Sequence, residues 1–98
     1  MKELNSKQRQ YLKGLAHPLS PIVRVGKAGV TESVIAEAKK SLQSHELIKV
    51  RVDIDDTTQR RANAEKLAEA TDSSLAATIG KVAVLYRERD EDPDIELP

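Results

Sequence analysis

Cysteine, phenylalanine and tryptophan do not occur in the 98-residue chain, and tyrosine occurs twice. The lack of cysteine excludes disulfide bridges and thiolate metal sites, and it suits a reducing, cytoplasmic location. Because aromatic side chains are scarce, valine, isoleucine, leucine and alanine must build the core. The longest apolar run, Val82–Tyr86, has five residues. A membrane-spanning helix needs roughly 20, so we expect no membrane partner.

Length and composition are those of a globular protein. Charged residues make up 33% of the chain and hydrophobic residues 39%, which is too apolar for a disordered protein. We predict a single domain over residues 1–98, because a chain of this length leaves no room for a second core. The first ten residues contain no apolar stretch, so we expect no secretory signal peptide.

The formal net charge of zero hides an uneven distribution along the chain. Residues 1–51 contain ten Lys/Arg and four Asp/Glu, a net charge of +6. Residues 52–98 contain six Lys/Arg and twelve Asp/Glu, a net charge of −6. A basic face is therefore compatible with the neutral total, since recognition depends on where the charge lies.

Hydrophobic spacing predicts helices that alternate with strands. The predicted helices run from Asn5 or Ser6 to His17, from Thr31 to about Ser44, and from the turn at 55–58 to about Thr71. The predicted strands are 21–25, 47–54 and 76–87, the last interrupted by Gly80, and 95–97 could add a short edge strand. In the strand 47–54 the side chains alternate, so one face is predicted to hold Ile48, Val50, Val52 and Ile54, and the other Lys49, Arg51 and Asp53. The inner face of the first helix is predicted to hold Leu4, Gln8, Tyr11, Leu12, Leu15 and Ala16 or Leu19. The inner face of the second helix is predicted to hold Val34, Ile35, Ala38 and Leu42, and that of the third Ala64, Leu67, Ala68 and Thr71. This order is typical of an α/β domain with two or three layers.

A short glycine-containing loop is the most specific local feature. Gly26, Lys27, Ala28 and Gly29 follow a predicted strand and precede a helix that Thr31 can cap. Glycines let backbone N–H groups approach a phosphate, and a helix N-terminus adds free N–H groups and a positive dipole end. Loops of this GxxG type clamp the sugar-phosphate backbone in KH domains. On these four residues alone, an ordinary strand-to-helix turn is the more common explanation.

Further basic residues lie off the predicted apolar faces. They are Lys7, Arg9, Lys13, Arg24, Lys39 and Lys40, which join Lys27 of the loop. Such residues neutralise RNA phosphates and make binding depend on salt. For any single lysine a solvated surface role is more common, but the charge difference between the two halves favours a binding role for the group.

No pattern typical of an enzyme or a metal site is present in the sequence. His17 and His45 are the only histidines, and neither belongs to a motif with ligand spacing. Asp55 and Asp56 lack the spaced oxygens of a calcium loop and are predicted to cap a helix. We therefore expect a protein that is not an enzyme and that uses no metal, cofactor or small-molecule substrate.

Four segments resemble the YhbY-type RNA-binding proteins, which consist of a single CRM domain (chloroplast RNA splicing and ribosome maturation). The segments are Ser6–His17, Val25–Thr31, His45–Val50 and Thr78–Arg87, and the resemblance extends from about Leu4 to Arg87. Four such motifs in this order are much more specific than the GxxG loop by itself.

The resemblance implies a compact α-β-α-β-α-β-β domain, an α/β fold of two-layer, α+β-like kind with a mixed four-stranded sheet. This fold is similar to the C-terminal domain of translation initiation factor three. The resemblance also implies RNA binding through the loop Gly26–Gly29 and through Lys7 and Lys13 of the first helix. In bacteria it implies association with precursors of the large ribosomal subunit.

Other hypotheses stay open from the sequence. The basic face could bind an acidic protein partner, or the chain could be a small enzyme, which the lack of a catalytic group disfavours. The segment 88–98 contains six acidic residues and one arginine, a net charge of −5, and lies outside the four motifs. It could weaken non-specific RNA binding, or it could serve only solubility.

Overall fold

The computed structural model describes residues 3–98, which form three helices and one four-stranded sheet. The elements are α1 (Ser6–Ala16), β1 (Pro21–Val25), α2 (Glu32–His45), β2 (Leu47–Val52), α3 (Thr57–Ala70), β3 (Ser74–Ile79) and β4 (Val82–Tyr86). The predicted α/β class and the mixed four-stranded sheet are confirmed.

Each helix begins at a side chain that caps its first turn. The side chains of Asn5, Thr31 and Asp56 each accept a hydrogen bond from the backbone N–H three residues further along, at 2.8, 3.3 and 2.9 Å. Gln8 completes a capping box on α1, because its side chain accepts from the N–H of Asn5 at 3.1 Å. These bonds satisfy N–H groups that the helices leave without intrahelical partners.

The strand order in the sheet is β1-β2-β4-β3. Strands β1 and β2 are parallel and joined through α2, whereas β4 is antiparallel to both of its neighbours. The prediction of one strand over 76–87 was wrong: the segment is a hairpin of β3 and β4. Gly80 adopts a φ of +56°, a conformation that glycine reaches without a steric penalty and that reverses the chain there.

Helices cover both faces of the sheet, so the domain has three layers rather than two. On one face α2 and α3 enclose the larger core cluster. That cluster consists of Val23, Val25, Ala38, Leu42, Ile48, Val50, Val52, Ala64, Leu67, Ala68, Ala83 and Leu85. On the other face, Leu12 and Ala16 of α1 belong to a smaller cluster with Leu47, Val84 and Tyr86.

The contact of α1 with the sheet is narrow. Its buried residues, Leu12 and Ala16, are four positions apart and form one line along the helix. Tyr11 and Leu15 were predicted on the inner face but are exposed on the flank of this line. The helix covers only the half of its sheet face where β2 begins and β4 ends, and leaves the other half open.

The C-terminal segment 88–98 folds back without forming a strand, so the expected edge strand at 95–97 is wrong. The buried carboxylate of Glu46 accepts hydrogen bonds from the backbone N–H groups of Arg89, Asp94 and Ile95, at 2.8, 2.6 and 3.0 Å. Ile95 and Leu97 pack against the smaller core cluster. Three backbone donors of the segment are thus satisfied by one side chain instead of a neighbouring strand.

Candidate nucleic-acid interface

The GxxG loop is a tight turn between β1 and α2. The N–H of Gly29 donates to the C=O of Gly26 at 3.0 Å, which leaves Lys27 and Ala28 exposed at the tip. Gly29 has a φ of +79°, and a Cβ there would lie 3.0 Å from Oδ1 of Asn63 in α3. The positive φ strongly favours glycine at this position, and a side chain there would also displace the Asn63 side chain by a few tenths of an ångström.

Gly26 differs, because the fold does not require a glycine there. Its φ is not positive. Among the described residues, no atom outside its chain neighbours lies within 4 Å of the position that a Cβ would take. The open space in front of its backbone is therefore accessible to a ligand.

An arginine pair lies on the sheet directly before the loop. Arg24 of β1 and Arg51 of β2 are direct partners in the parallel register. The Asp53 carboxylate accepts a hydrogen bond from Nε of Arg24 through one oxygen and from Nε of Arg51, at 2.7 Å, through the other. The side chains of Arg24 and Arg51 stay 74% and 50% exposed, whereas that of Asp53 is 19% exposed.

Opposing effects act on the pKa of Asp53. Partial burial would raise the pKa of this carboxyl, but the hydrogen bonds and charges of Arg51 and Arg24 lower it below the usual value for aspartate. Asp53 is therefore ionised at neutral pH and holds the two guanidinium groups side by side. Without this bridge, two like charges directly opposite on adjacent strands would repel each other.

The remaining loops at this end of the sheet add another basic residue. Lys81 in the β3–β4 turn forms an ion pair with Asp55 at 2.8 Å. This hydrogen bond and the charge of Lys81 lower the pKa of the Asp55 carboxyl. Arg60 donates to the backbone C=O groups of Ile54 and Asp55 at 3.0 and 3.4 Å. We call this part of the molecule the loop end; it comprises residues 26–29, 53–56 and 80–81.

The other predicted basic residues do not form one cluster with the loop. Lys7 lies on one flank of α1, and Arg9 and Lys13, four residues apart, share the opposite flank. Lys39 lies about 10 Å along α2 from its start and lines a surface depression with the acidic residues of 88–91. Lys40, the next residue of α2, is also exposed.

The family model of the CRS1 / YhbY (CRM) domain matches residues 4–87 of the chain. The chain belongs to this family. It is 43% identical, over all of its 98 residues, to an RNA-binding protein of Haemophilus influenzae, of which it covers 98%. It is 41% identical over 95 residues to the Probable RNA-binding protein YqeI of Bacillus subtilis, with 97% of this chain and 99% of that relative covered.

A solved structure agrees with the fold of this CRM domain. The solution structure of the hypothetical protein SAV1595 from Staphylococcus aureus, described as a putative RNA binding protein, matches with a TM-score of 0.88. The two sequences are 43% identical, and the match covers 98% of this chain and 100% of the other.

The sequence did not identify several residues at the loop end of this CRM domain. Arg51 was assigned to the outward side of its strand, but its position opposite Arg24 follows from strand pairing between residues far apart in sequence. Asn63 contacts the loop from a helix whose first residue is 28 positions after Gly29. Only the outward orientation of Arg51 was readable, from the alternation of apolar and polar residues in β2.

The described residues contain no group of three or more His, Cys, Asp and Glu residues that could hold a metal ion. Over the same range, 3–98, no helix is long and apolar enough to span a membrane.

Proposed function

We propose that this CRM domain binds RNA, with the phosphate backbone at the GxxG loop. The observation that carries the proposal is Gly26, a glycine that the fold does not require, next to the exposed Lys27. Backbone N–H groups without a nearby Cβ can approach a phosphate closely, and a lysine supplies a mobile positive charge. RNA-binding descriptions of the relatives support the same ligand.

Binding is electrostatic in the main and needs no catalytic step. Phosphate contacts supply affinity, while RNA shape supplies selectivity. The predicted basic contacts are Lys7, Arg9, Lys13, Arg24, Lys27, Lys39 and Lys40. Those nearest to the loop, Arg24 and Lys27, contribute most. The resemblance of the sequence to YhbY-type proteins points to ribosomal RNA in precursors of the large subunit as the partner, in the cytoplasm.

Charge reversal at the loop tip tests this proposal. In Lys27→Asp/Ala28→Asp, two carboxylates take the place where a phosphate is expected, so RNA affinity should fall by about tenfold or more. Both side chains are exposed, so thermal unfolding followed by circular dichroism should stay close to that of the wild type. The measurement is a titration of labelled RNA at fixed salt.

The matched control carries the same substitutions on α3. Ala62→Asp/Lys66→Asp changes the net charge by the same amount at exposed positions outside the predicted interface, and it should lower RNA affinity much less. An unchanged RNA affinity of the folded loop variant would reject the loop as the contact. A wild-type protein that binds no RNA would reject the function and favour the alternative, an acidic protein partner.

A further inference from the structure

One row of side chains crosses all four strands on the open half of the sheet face that α1 occupies. Arg24 of β1 lies opposite Arg51 of β2. Val82 of β4 lies opposite Arg51 on one side and Ile79 of β3 on the other. We call these four residues the Arg–Ile row. Its β1–β2 half is cationic, and its β4–β3 half is aliphatic.

The cationic half has the charge and the exposed donors that suit an anion. Each arginine uses its Nε for Asp53, and both side chains remain at least half exposed. Guanidinium groups fixed side by side present further N–H donors in the planar arrangement that suits phosphate oxygens. Two arginines and one aspartate leave a net positive charge at this point of the sheet.

The aliphatic half is open to solvent. Ile79 is 44% exposed at the end of β3, and Val82 is half-buried beside it. Neither residue belongs to a core cluster. An apolar surface next to a phosphate-binding group is what a nucleoside needs, because its sugar and base offer apolar faces beside each phosphate.

The row also lies within reach of the loop. Arg24 is two residues before Gly26, a separation of about 7 Å along an extended strand. An RNA strand that contacts the loop can therefore continue across the sheet face on which the row lies.

We infer that the Arg–Ile row is a second RNA subsite, which binds one phosphate through Arg24 and Arg51 and the attached nucleoside against Val82 and Ile79. Asp53 is a positioning residue that acts through the two arginines. The inference rests on the RNA binding proposed above, and it adds to the loop contact a site for an unpaired nucleotide.

The cationic half is tested with Arg51→Gln. This variant should bind single-stranded RNA about five- to tenfold more weakly at low salt. It should also flatten the plot of log association constant against log salt concentration by about 0.7 units, the value for one lost phosphate contact. The matched control is Arg61→Gln, since Arg61 is also exposed and also paired through its Nε, with Glu65 at 2.9 Å. The control should change neither quantity.

Asp53→Asn separates positioning from simple charge. The net charge of the variant is one unit more positive, so net charge alone predicts tighter RNA binding. If Asp53 positions the arginines, RNA binding weakens instead, and adding Arg51→Gln then costs less affinity than it does in the wild type. Thermal unfolding of each variant confirms that the titrated protein is folded.

The aliphatic half is tested with two ligands. Ile79→Ser should weaken the binding of single-stranded RNA several-fold and leave the binding of inorganic polyphosphate unchanged, because polyphosphate has no nucleoside. Ile22→Ser, an equally exposed position outside the row, should leave both ligands unaffected. Arg51→Gln should weaken the binding of both ligands, because both carry phosphates.

The outcomes separate this inference from the proposed function. If Lys27→Asp/Ala28→Asp loses RNA affinity while Arg51→Gln binds RNA as well as the control Arg61→Gln, the subsite is wrong and the loop contact stands. If Ile79→Ser has no effect on RNA, the nucleoside contact is wrong. If neither the loop variant nor Arg51→Gln changes RNA affinity, both the loop contact and the subsite are wrong, and only a wild-type protein that binds no RNA rejects the proposed function itself.

Discussion

At the scale of single residues, the two glycines of the loop are expected to differ: Gly29 should matter for stability, and Gly26 for RNA binding. Gly29→Ala places a side chain at a φ of +79° and 3.0 Å from Asn63, so it should lower the free energy of unfolding by about 1–2 kcal/mol. Gly26→Ala should leave stability nearly unchanged, because its Cβ has free space. It should instead weaken RNA binding by about tenfold, since the Cβ separates the backbone from the phosphate.

Thermal unfolding and RNA titration of both alanine variants measure this difference. An equal loss of stability in the two variants would show that both glycines serve the turn alone. Wild-type RNA affinity in Gly26→Ala would show that no ligand approaches the backbone at this position.

The same residues show how far the sequence alone could predict the site. The lysine and the glycine spacing were readable from the sequence, and the prediction of the loop as the contact rests on them. The different surroundings of Gly26 and Gly29 were not, because they depend on Asn63, which α3 brings to the loop. The Arg24–Asp53–Arg51 arrangement could not be predicted either, because it depends on the parallel register of β1 and β2, which pairs residues far apart in the sequence.

At the scale of elements, the buried carboxylate of Glu46 links α2 to the C-terminal segment. Glu46→Gln exchanges one carboxylate oxygen for an amide group that cannot accept the N–H of its partners, so the free energy of unfolding should fall by about 2 kcal/mol. Hydrogen exchange at the amides of Arg89, Asp94 and Ile95 should become faster. Denaturant unfolding and amide exchange of the full chain measure both effects.

Glu91→Gln is the matched control for this prediction, because Glu91 is exposed in the same segment. It should change stability by less than about 0.5 kcal/mol. Equal stability of Glu46→Gln and Glu91→Gln, with unchanged amide exchange, would contradict the role of Glu46 as the attachment of the segment.

The sequence predicted helices and strands correctly where the apolar residues follow one clear spacing, either that of a helix or that of a strand. The alternation in β2 and the inner faces of α2 and α3 were predicted. The structure buries most of the expected residues, while Val34, Ile35 and Ile54 are partly buried against the same core. Hydrophobic spacing did not predict the β3–β4 hairpin, because a two-residue turn with a single glycine resembles a bulge inside a longer strand; the two final strands were implied only by the family resemblance. The predicted inner face of α1 contained too many residues, because the width of the contact depends on which half of the sheet α1 covers.

At the scale of the whole molecule, the loop end and the acidic segment lie at opposite ends of the sheet. The segment follows β4 where that strand pairs with the start of β2, whereas the loop adjoins the end of β2. The length of β2 separates them by about 17 Å, which exceeds the Debye length of about 8 Å at physiological salt. That the segment weakens non-specific RNA binding stays a prediction, and this separation limits its effect at the loop.

The salt dependence of RNA association tests the electrostatic binding at the loop end most directly. For the wild type, the logarithm of the association constant should fall linearly with the logarithm of salt concentration. Lys27→Gln should flatten that slope by about 0.7 units, while Lys66→Gln, at an exposed position on α3, should leave it unchanged. A wild-type slope near zero, or equal flattening in both variants, would contradict phosphate binding at this loop.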